Sequence, residues 1–147
     1  MRKIYSKEDQ ELYDELRRMM KGHFRKSRAV LEKYNLYAGQ PPLLFLLMKE
    51  EGRRQKDIAK ALNIQAATVT VTVKRLEKAG FVEKREDEKD KRISRLYLTD
   101  QGRDACINVR EAMDNINMKA FNVLTEDEKI VFRNLTKKIN NCAENEK

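Results

Sequence analysis

The segment 87–99, DEKDKRISRLYLT, places charges of both signs directly before a short apolar pattern. An arginine guanidinium suits phosphates and the negative minor groove of DNA, whereas a carboxylate suits a charge-assisted hydrogen bond to a neighbouring guanidinium. The second half, ISRLYLT, is typical of a β-strand, and it pairs with FVEKRE, residues 81–86, as a hairpin. We predict that Asp90 holds Arg92, or the loop, at the hairpin tip. The alternative is an ordinary solvated turn.

The segment 65–80, QAATVTVTVKRLEKAG, is ambiguous between two secondary structures. Its alternation of Val and Thr favours a strand. Its apolar residues Ala66, Val69, Val73 and Leu76 recur in steps of three and four, which indicates a helix, and Gly80 is a suitable stop. We predict a helix with these four residues buried. The opposite face then carries small, hydroxyl and basic residues: Ala67, Thr68, Val71, Lys74, Arg75 and Lys78.

Residues 54–64 and 65–80 together predict a helix-turn-helix, with the turn at Asn63–Ile64. In this arrangement the second helix can lie in the major groove of B-DNA. The helix start at Gln65 can receive a phosphate. Val71 could contact a thymine methyl group, or it could simply tolerate exposure or pack on the hairpin.

The pattern DKRISRLYLT, residues 90–99, resembles the wing signature D-x-R-x-x-x-hydrophobic-x-L-T of the MarR family of bacterial transcriptional regulators. The segment IAKALNI, residues 58–64, and the chain from Thr68 to Glu86 are similar to the helix-turn-helix and first wing strand of that family. The resemblance implies a winged helix-turn-helix homodimer that binds a pseudo-palindromic operator in double-stranded DNA, usually as a repressor released by a ligand or by oxidation. It implies these DNA-binding residues: Gln65, Ala67, Thr68, Val71, Thr72, Lys74, Arg75, Asp90 and Arg92. The neighbouring cations Lys78, Lys89 and Lys91 complete the predicted DNA-binding set. Many members have Ser at the position of Gln65 and Arg near Val71, so these departures affect base preference.

Further helices are predicted on both sides of this region. Residues 6–34 form one, capped by Ser6, and PLLFLLMKEEG forms a short central helix closed by Gly52. Thr99 caps a helix over 100–120, and a capping box from Thr125 to Glu128 opens the last helix. Its predicted buried stripe is Ile130, Val131, Leu135, Ile139 and Cys142.

The fold class that follows is mainly α with a small β-hairpin wing, in the order α-α-α-α-β-β-α-α, in a single subunit of residues 1–147. We expect residues 37–99 to form the winged helix-turn-helix and residues 1–36 and 100–147 to form dimerisation helices. The terminal helices carry more apolar surface than the central region needs, which a partner subunit explains. An enlarged monomeric core is the alternative.

Charge and composition favour a polyanionic partner. The 147 residues carry a net charge of +8, and the segment 53–95 holds 13 Lys or Arg against 7 Asp or Glu. One histidine, no Cys/His cluster, no glycine-rich phosphate loop and no nucleophile motif argue against an enzyme, a metal site or a cofactor. A winged-helix protein-interaction module without DNA binding is a further alternative. No export signal or apolar span is evident, which predicts a cytoplasmic protein of a bacterium or archaeon.

Two regulatory features stay open in the sequence. A small aromatic or lipophilic effector could bind among Met19, Met20, His23, Phe24, Tyr37, Phe45 and Met48, although such residues at helical spacing are more often plain core. Cys106 and Cys142 are expected to be buried, inert thiols, with a redox-responsive role as the alternative.

Overall fold

The computed structural model describes residues 6–144, and the described chain follows the predicted element order. Its helices and strands are α1 Lys7–Lys33, α2 Pro41–Lys49, α3 Gln55–Leu62, α4 Ala66–Lys78, β1 Val82–Glu86, β2 Ser94–Leu98, α5 Asp100–Phe121 and α6 Glu126–Glu144. None of the described helices is both long and apolar enough to cross a membrane. The predicted fold class is confirmed.

Helices α1 and α6 each begin at a residue that caps the helix. The Ser6 hydroxyl accepts a hydrogen bond from the Asp9 backbone N–H at 3.0 Å, and the Asp9 carboxylate accepts one from the Ser6 N–H at 3.2 Å. At α6, the Glu128 N–H donates to the Thr125 hydroxyl at 3.3 Å and the Thr125 N–H donates to the Glu128 carboxylate at 2.8 Å. Both caps satisfy backbone groups that a helix end leaves without partners.

A hydrophobic core lies beneath the helix-turn-helix and the hairpin. The nearly all-apolar helix α2 supplies its centre, as a helix without a polar face must. The core includes side chains that are at most 1% exposed: Leu36, Leu43, Leu44, Leu47, Ile58, Val69, Val73, Leu76, Leu96 and Val109.

The ambiguous segment is helix α4, and packing explains why. Val69, Val73 and Leu76 are fully buried on one side, and this burial outweighs the weak helix propensity of alternating Val and Thr. Gly80 follows the helix with φ +78°, a backbone conformation that glycine adopts readily. The prediction that Ala66 is buried is wrong, because this residue lies in the first turn, before the helix reaches the core.

The two strands form an antiparallel hairpin in the register Val82↔Leu98 to Glu86↔Ser94. A bridge between Arg53 and Leu96 joins the segment before α3 to the hairpin. The hairpin is therefore anchored to the helix-turn-helix by backbone hydrogen bonds on its second strand.

The chain divides into two compact units, one ending at Met113 and one beginning at Asp114. The first unit contains α1 and the first half of α5 together with residues 37–99. The predicted division into dimerisation helices and a winged region stays a prediction, and its residues 1–5 and 145–147 lie outside the described part of the chain.

The predicted buried stripe of α6 is wrong for the single chain. Ile130, Val131, Leu135, Ile139 and Cys142 are not buried. The same holds for the first half of α1, where Leu12 is 71% exposed and Met19 53%. The helical periodicity is correct, but no neighbouring element of the described chain covers these faces.

Candidate nucleic-acid interface

The turn between α3 and α4 depends on one left-handed residue. Asn63 has φ 51°, and the N–H groups of Asn63 and Ile64 donate to the carbonyls of Lys60 and Ala59 at 3.3 and 3.1 Å. Asn tolerates this conformation better than most residues with a Cβ atom. The turn closes α3 and lets α4 begin three residues after Asn63, which is the predicted helix-turn-helix.

The outward face of α4 is open along its whole length. All six residues predicted for this face are exposed: Ala67, Thr68, Val71, Lys74, Arg75 and Lys78. Val71 is 50% exposed, which contradicts the alternative that it packs on the hairpin. Thr72 differs from the rest of the predicted DNA-binding set, because it is half-buried beside the apolar stripe.

The start of α4 leaves backbone donors free for a ligand. Gln65 is the N-cap residue, and its side chain makes no capping hydrogen bond. Thr70, one turn into the helix, donates its hydroxyl to the Ala66 carbonyl at 3.0 Å or to the Gln55 amide oxygen at 3.1 Å on α3. The first-turn N–H groups therefore have no side-chain cap, and a helix start of this kind can receive an anion.

At the hairpin tip, Asp90 holds Arg92 as predicted. The Arg92 Nε and Nη2 atoms donate to the two Asp90 carboxylate oxygens at 3.0 and 3.1 Å, and the Arg92 backbone N–H donates to Oδ1 at 3.0 Å. The hydrogen bonds from Arg92 lower the pKa of Asp90. The Arg92 side chain is nonetheless 89% exposed, so the pair fixes its direction without covering it.

Asp87 organises the loop below that tip, a role that the sequence reasoning missed. Its Oδ1 accepts hydrogen bonds from the N–H groups of Lys89 and Asp90 at 2.9 and 3.0 Å, and its Oδ2 accepts one from Arg95. The Arg95 hydrogen bond, with the two backbone ones, lowers the pKa of Asp87 to about 2. An aspartate two residues before a turn N–H is a recognisable sequence signal that could have revealed this role.

Arg95 also ties the hairpin to the body of the protein. Its Nη1 donates to the Gly52 carbonyl at 2.7 Å, while the Gly52 N–H donates to the Leu96 carbonyl at 2.8 Å. Glu51 accepts from the Leu98 N–H at 3.2 Å and from Arg103 at 2.8 Å. The loop before α3, the second strand and the start of α5 are thus joined in one hydrogen-bonded network.

Thr99, the last residue of the signature, joins three elements. Its hydroxyl donates to the Gly80 carbonyl at 2.6 Å and accepts from the Gly102 N–H at 3.0 Å, and its backbone N–H donates to the Phe81 carbonyl at 3.1 Å. It therefore caps α5, as predicted, and also fixes the end of α4 beside the start of the hairpin.

Some cations of this region are paired with carboxylates and others are not. Arg53, Arg54, Lys84, Arg85 and Arg95 form ion pairs with carboxylates of the same region. The predicted DNA-binding cations, apart from Arg92, make no ion pair within residues 6–144: Lys74, Arg75, Lys78, Lys89 and Lys91. The unneutralised positive charge of the winged region therefore includes the outer face of α4 and the hairpin tip.

Comparison with known proteins supports the resemblance. Residues 36–94 match the model of the MarR family. The chain is 41% identical over 75 residues to the uncharacterized HTH-type transcriptional regulator YwoH of Bacillus subtilis, a match that covers 51% of this chain and 54% of that protein. The central region of this chain, residues 36–94, is therefore similar to the MarR family.

Solved structures of similar proteins extend the agreement beyond the residues of the MarR model. The YusO protein of Bacillus subtilis superimposes with a TM-score of 0.80 at 22% identity, over 93% of this chain and 99% of that one. A mutant of S. aureus MepR bound to an oligodeoxyribonucleotide gives a TM-score of 0.66 at 27% identity, over 88% and 97%. By contrast, the sequence match to YwoH spans only about half of that relative.

The effector site stays a prediction. Of its seven proposed residues, Met19, Met20, His23, Phe24 and Tyr37 lie on the surface, while Phe45 and Met48 are half-buried against the core. Arg110 lies 5.1 Å from the centre of the Phe45 ring.

The two cysteines differ in environment. Cys106 is buried, and burial raises the pKa of its thiol to about 11, as expected of an inert core residue. The prediction that Cys142 is buried is wrong, because this residue lies on the uncovered stripe of α6. Within the described residues no three His, Cys, Asp or Glu side chains are grouped to hold a metal ion.

Proposed function

We propose that this chain is a homodimeric transcriptional regulator that binds double-stranded DNA in a sequence-specific way. The observation that carries the proposal is a set of cations on one helix face and one loop, which are exposed and form no ion pair within the described chain: Lys74, Arg75, Lys78, Lys89 and Lys91. Unpaired cations on one helix face and one loop can neutralise phosphates without first breaking an internal ion pair.

In the proposed complex, α4 lies in the major groove. Ala67, Thr68 and Val71 are small enough for the helix to approach the base edges, and Val71 offers an apolar surface to a thymine methyl group. Phosphates on the groove wall contact the cations of the second half of α4, and one phosphate lies at the uncapped helix start near Gln65.

The hairpin tip contacts the flanking minor groove. Arg92 enters the groove, where the negative potential attracts a guanidinium, and Asp90 presets its direction. Lys89 and Lys91 contact phosphates on either side. Asp87 and Arg95 fix the loop to the base of the hairpin. The loop therefore loses little conformational entropy when DNA binds.

The proposed biological role is repression of a pseudo-palindromic operator, with release by a small aromatic or lipophilic effector. Two subunits place two copies of α4 about 34 Å apart, on one side of the duplex. Support for DNA binding comes from the MepR mutant bound to an oligodeoxyribonucleotide, which shares this fold. The high pKa of Cys106 argues against a redox role for that thiol.

The first experiment is selection of bound sequences from random duplex DNA, followed by titration of the best site against salt. We expect the logarithm of the binding constant to fall steeply with the logarithm of salt concentration, by about 0.9 per phosphate neutralised. A protein-interaction module without DNA binding would enrich no sequence and would show no such slope.

Arg92→Ala tests the hairpin contact. We expect operator affinity to fall roughly ten- to hundredfold and the dimer and its helicity to remain unchanged. The matched control is Arg28→Ala, which removes an exposed guanidinium paired with Glu32 on α1. Equal affinity of the Arg92→Ala variant and the wild type would mean that the hairpin tip does not touch DNA.

A further inference from the structure

A side-chain contact joins α3 to α4 at the edge of the outward face of α4. The Thr70 hydroxyl lies 3.1 Å from the Oε1 atom of Gln55, the first residue of α3. The same hydroxyl lies 3.0 Å from the Ala66 carbonyl. Thr70 is exposed and Gln55 is half-buried. Neither of these two residues belongs to the DNA-binding set predicted from the sequence.

The Gln55 amide has donors that the chain does not use. A hydroxyl donates its single proton to one acceptor at a time, so Thr70 donates either to Ala66 or to Gln55. When it donates to Gln55 Oε1, the Nε2 group of that amide points away from Thr70. Nε2 makes no hydrogen bond within residues 6–144 and is not buried. Its N–H groups are therefore accessible to an acceptor outside the chain.

The position of Thr70 on α4 places this amide beside the predicted DNA contacts. Thr70 and Lys74 are four residues apart, so they lie on the same side of the helix, about 6 Å apart along its axis. Glu77 is the only acidic residue of α4, and it pairs with Lys84 at 2.6 Å. A DNA strand that passes Lys74 along the groove wall would next pass Gln55 and Thr70.

We propose that Gln55 donates a hydrogen bond from Nε2 to a backbone phosphate of the operator, on the strand that contacts Lys74, and that Thr70 orients its amide. This contact rests on the proposed DNA binding and adds a residue of α3 to it. Phosphate oxygens accept hydrogen bonds and do not donate them, so a bound phosphate selects the arrangement in which Thr70 donates to Gln55. Because phosphate contacts fix the orientation of a protein on the duplex, Gln55 helps to set how α4 lies in the groove.

Gln55→Ala tests the contact. We expect affinity for the selected operator to fall roughly tenfold, since the hydrogen bond is made to a charged group. The salt dependence should stay unchanged, because a neutral amide releases no counterion, whereas Lys74→Ala should reduce the slope by about 0.9. Fluorescence anisotropy titrations at several salt concentrations measure both quantities. Gln101→Ala is the matched control, because it removes an exposed amide on α5.

Gln55→Glu distinguishes a contact with DNA from a role in holding α3 against α4. The carboxylate still accepts the Thr70 hydroxyl, so the contact between the helices is retained. Its charge repels a phosphate, and we expect operator affinity to fall roughly a hundredfold. Urea unfolding should show the stability of the wild type. Unchanged affinity of the Gln55→Glu variant would exclude a phosphate at this position.

Thr70 is tested by two substitutions that keep its branched or hydroxyl character in turn. Thr70→Val removes the hydroxyl that orients the amide, and we expect operator affinity to fall roughly threefold. Thr70→Ser keeps the hydroxyl, so its affinity should be close to that of the wild type. Equal affinities of the Thr70→Val and Thr70→Ser variants would contradict the orienting role.

Neutral methylphosphonate groups, introduced one at a time into the operator, identify the phosphate. At the phosphate that Gln55 contacts, we expect the wild type and the Gln55→Ala variant to bind with nearly equal affinity, while at every other position the difference of about tenfold remains. A difference that persists at every position would show that Gln55 acts only through the protein structure and would overturn the inference, as would equal affinity of Gln55→Ala and wild type for the unmodified operator. In both of these cases the wild type still binds DNA, so the proposed function stands. Failure of the wild type to select any operator would instead overturn the proposed function together with this contact.

Discussion

Val71 is the residue whose exposure most directly concerns base recognition. It is 50% exposed in the middle of the open face of α4, between small residues and cations. An isolated exposed Val contributes little to the stability of the folded chain. Its methyl groups are available to an apolar group on the DNA, and thymine offers one in the major groove.

We expect Val71→Ala to change sequence preference more than overall affinity. Loss of two methyl groups from a contact with a thymine methyl reduces discrimination at that base pair by about 1 kcal/mol, while phosphate contacts are unaffected. Binding to the selected operator and to its variants at each position measures this directly. An equal fall in specific and non-specific binding would mean that Val71 does not contact a thymine methyl group.

Asp87 makes the stability of the hairpin loop depend on pH. Its pKa is lowered to about 2 in the folded protein, from an ordinary value of 3.8, chiefly by the hydrogen bond from Arg95. A carboxylate with a lowered pKa stabilises the fold at pH values above its unfolded pKa. That contribution is lost as the pH falls from about 4 to about 2.

The expected result is that amide-exchange protection at Lys89 and Asp90 falls within that pH window in the wild type. Asp87→Asn should lower the protection already at neutral pH, because it removes the charge that Arg95 and both N–H groups contact. Glu88→Gln is the control, since Glu88 makes no ion pair within the described residues. NMR exchange that is the same for Asp87→Asn and the wild type would exclude this role.

At the scale of elements, α4, the hairpin and α5 meet where the backbones of Gly102 and Phe81 lie very close together. A Cβ atom on Gly102 would lie 1.9 Å from the Phe81 carbonyl oxygen. This carbonyl accepts the Thr99 N–H, so it cannot move away without loss of that bond. Gly102 is thus required by packing and not by its backbone dihedral angles.

Gly102→Ala should destabilise the protein by about 2 kcal/mol, because the added methyl group forces the start of α5 away from the hairpin. Gly22→Ala is the matched control within a helix: its Cβ would meet nothing within 4 Å, so we expect stabilisation by about 0.5–1 kcal/mol. Urea unfolding of both variants measures the two changes. A neutral Gly102→Ala would show that the contact relaxes freely.

Local signals are sufficient to predict most elements. Caps at Ser6, Thr99 and Thr125 and the spacing of buried residues such as Val69 and Val73 act within one helix, so the sequence displays them. The same periodicity cannot show what covers the stripe of α6, because burial depends on a neighbour that lies elsewhere. Periodicity alone therefore predicts that the stripe is buried, although no other part of the described chain covers it.

The predicted site shows the same difference between local and long-range information. The Asp90–Arg92 pair spans two residues and is predictable, whereas the contact of Arg95 with Gly52 joins residues 43 positions apart. Gly102 likewise approaches Phe81 across the whole hairpin. Sequence spacing predicts which residues lie on the open face of α4, but not the network that holds the hairpin in place.

For the whole molecule, the proposed dimer fixes the distance between two recognition helices. Two copies of α4 then read two half-sites on one side of the duplex, and the helical turn of the DNA sets the allowed spacing. The gain from binding both half-sites together is an effective-concentration effect, typically about two to four orders of magnitude in affinity.

Inserting five base pairs between the half-sites of the selected operator rotates one of them by about half a turn of B-DNA. A rigid dimer can then contact only one half-site at a time, so we expect affinity to fall roughly a hundredfold or more, toward that of a single half-site. Electrophoretic mobility shift at constant salt measures the change, with a base-pair substitution outside both half-sites as the control. Unchanged affinity for the operator with the insertion would mean that the subunits bind DNA independently, so that the dimer does not set the operator geometry.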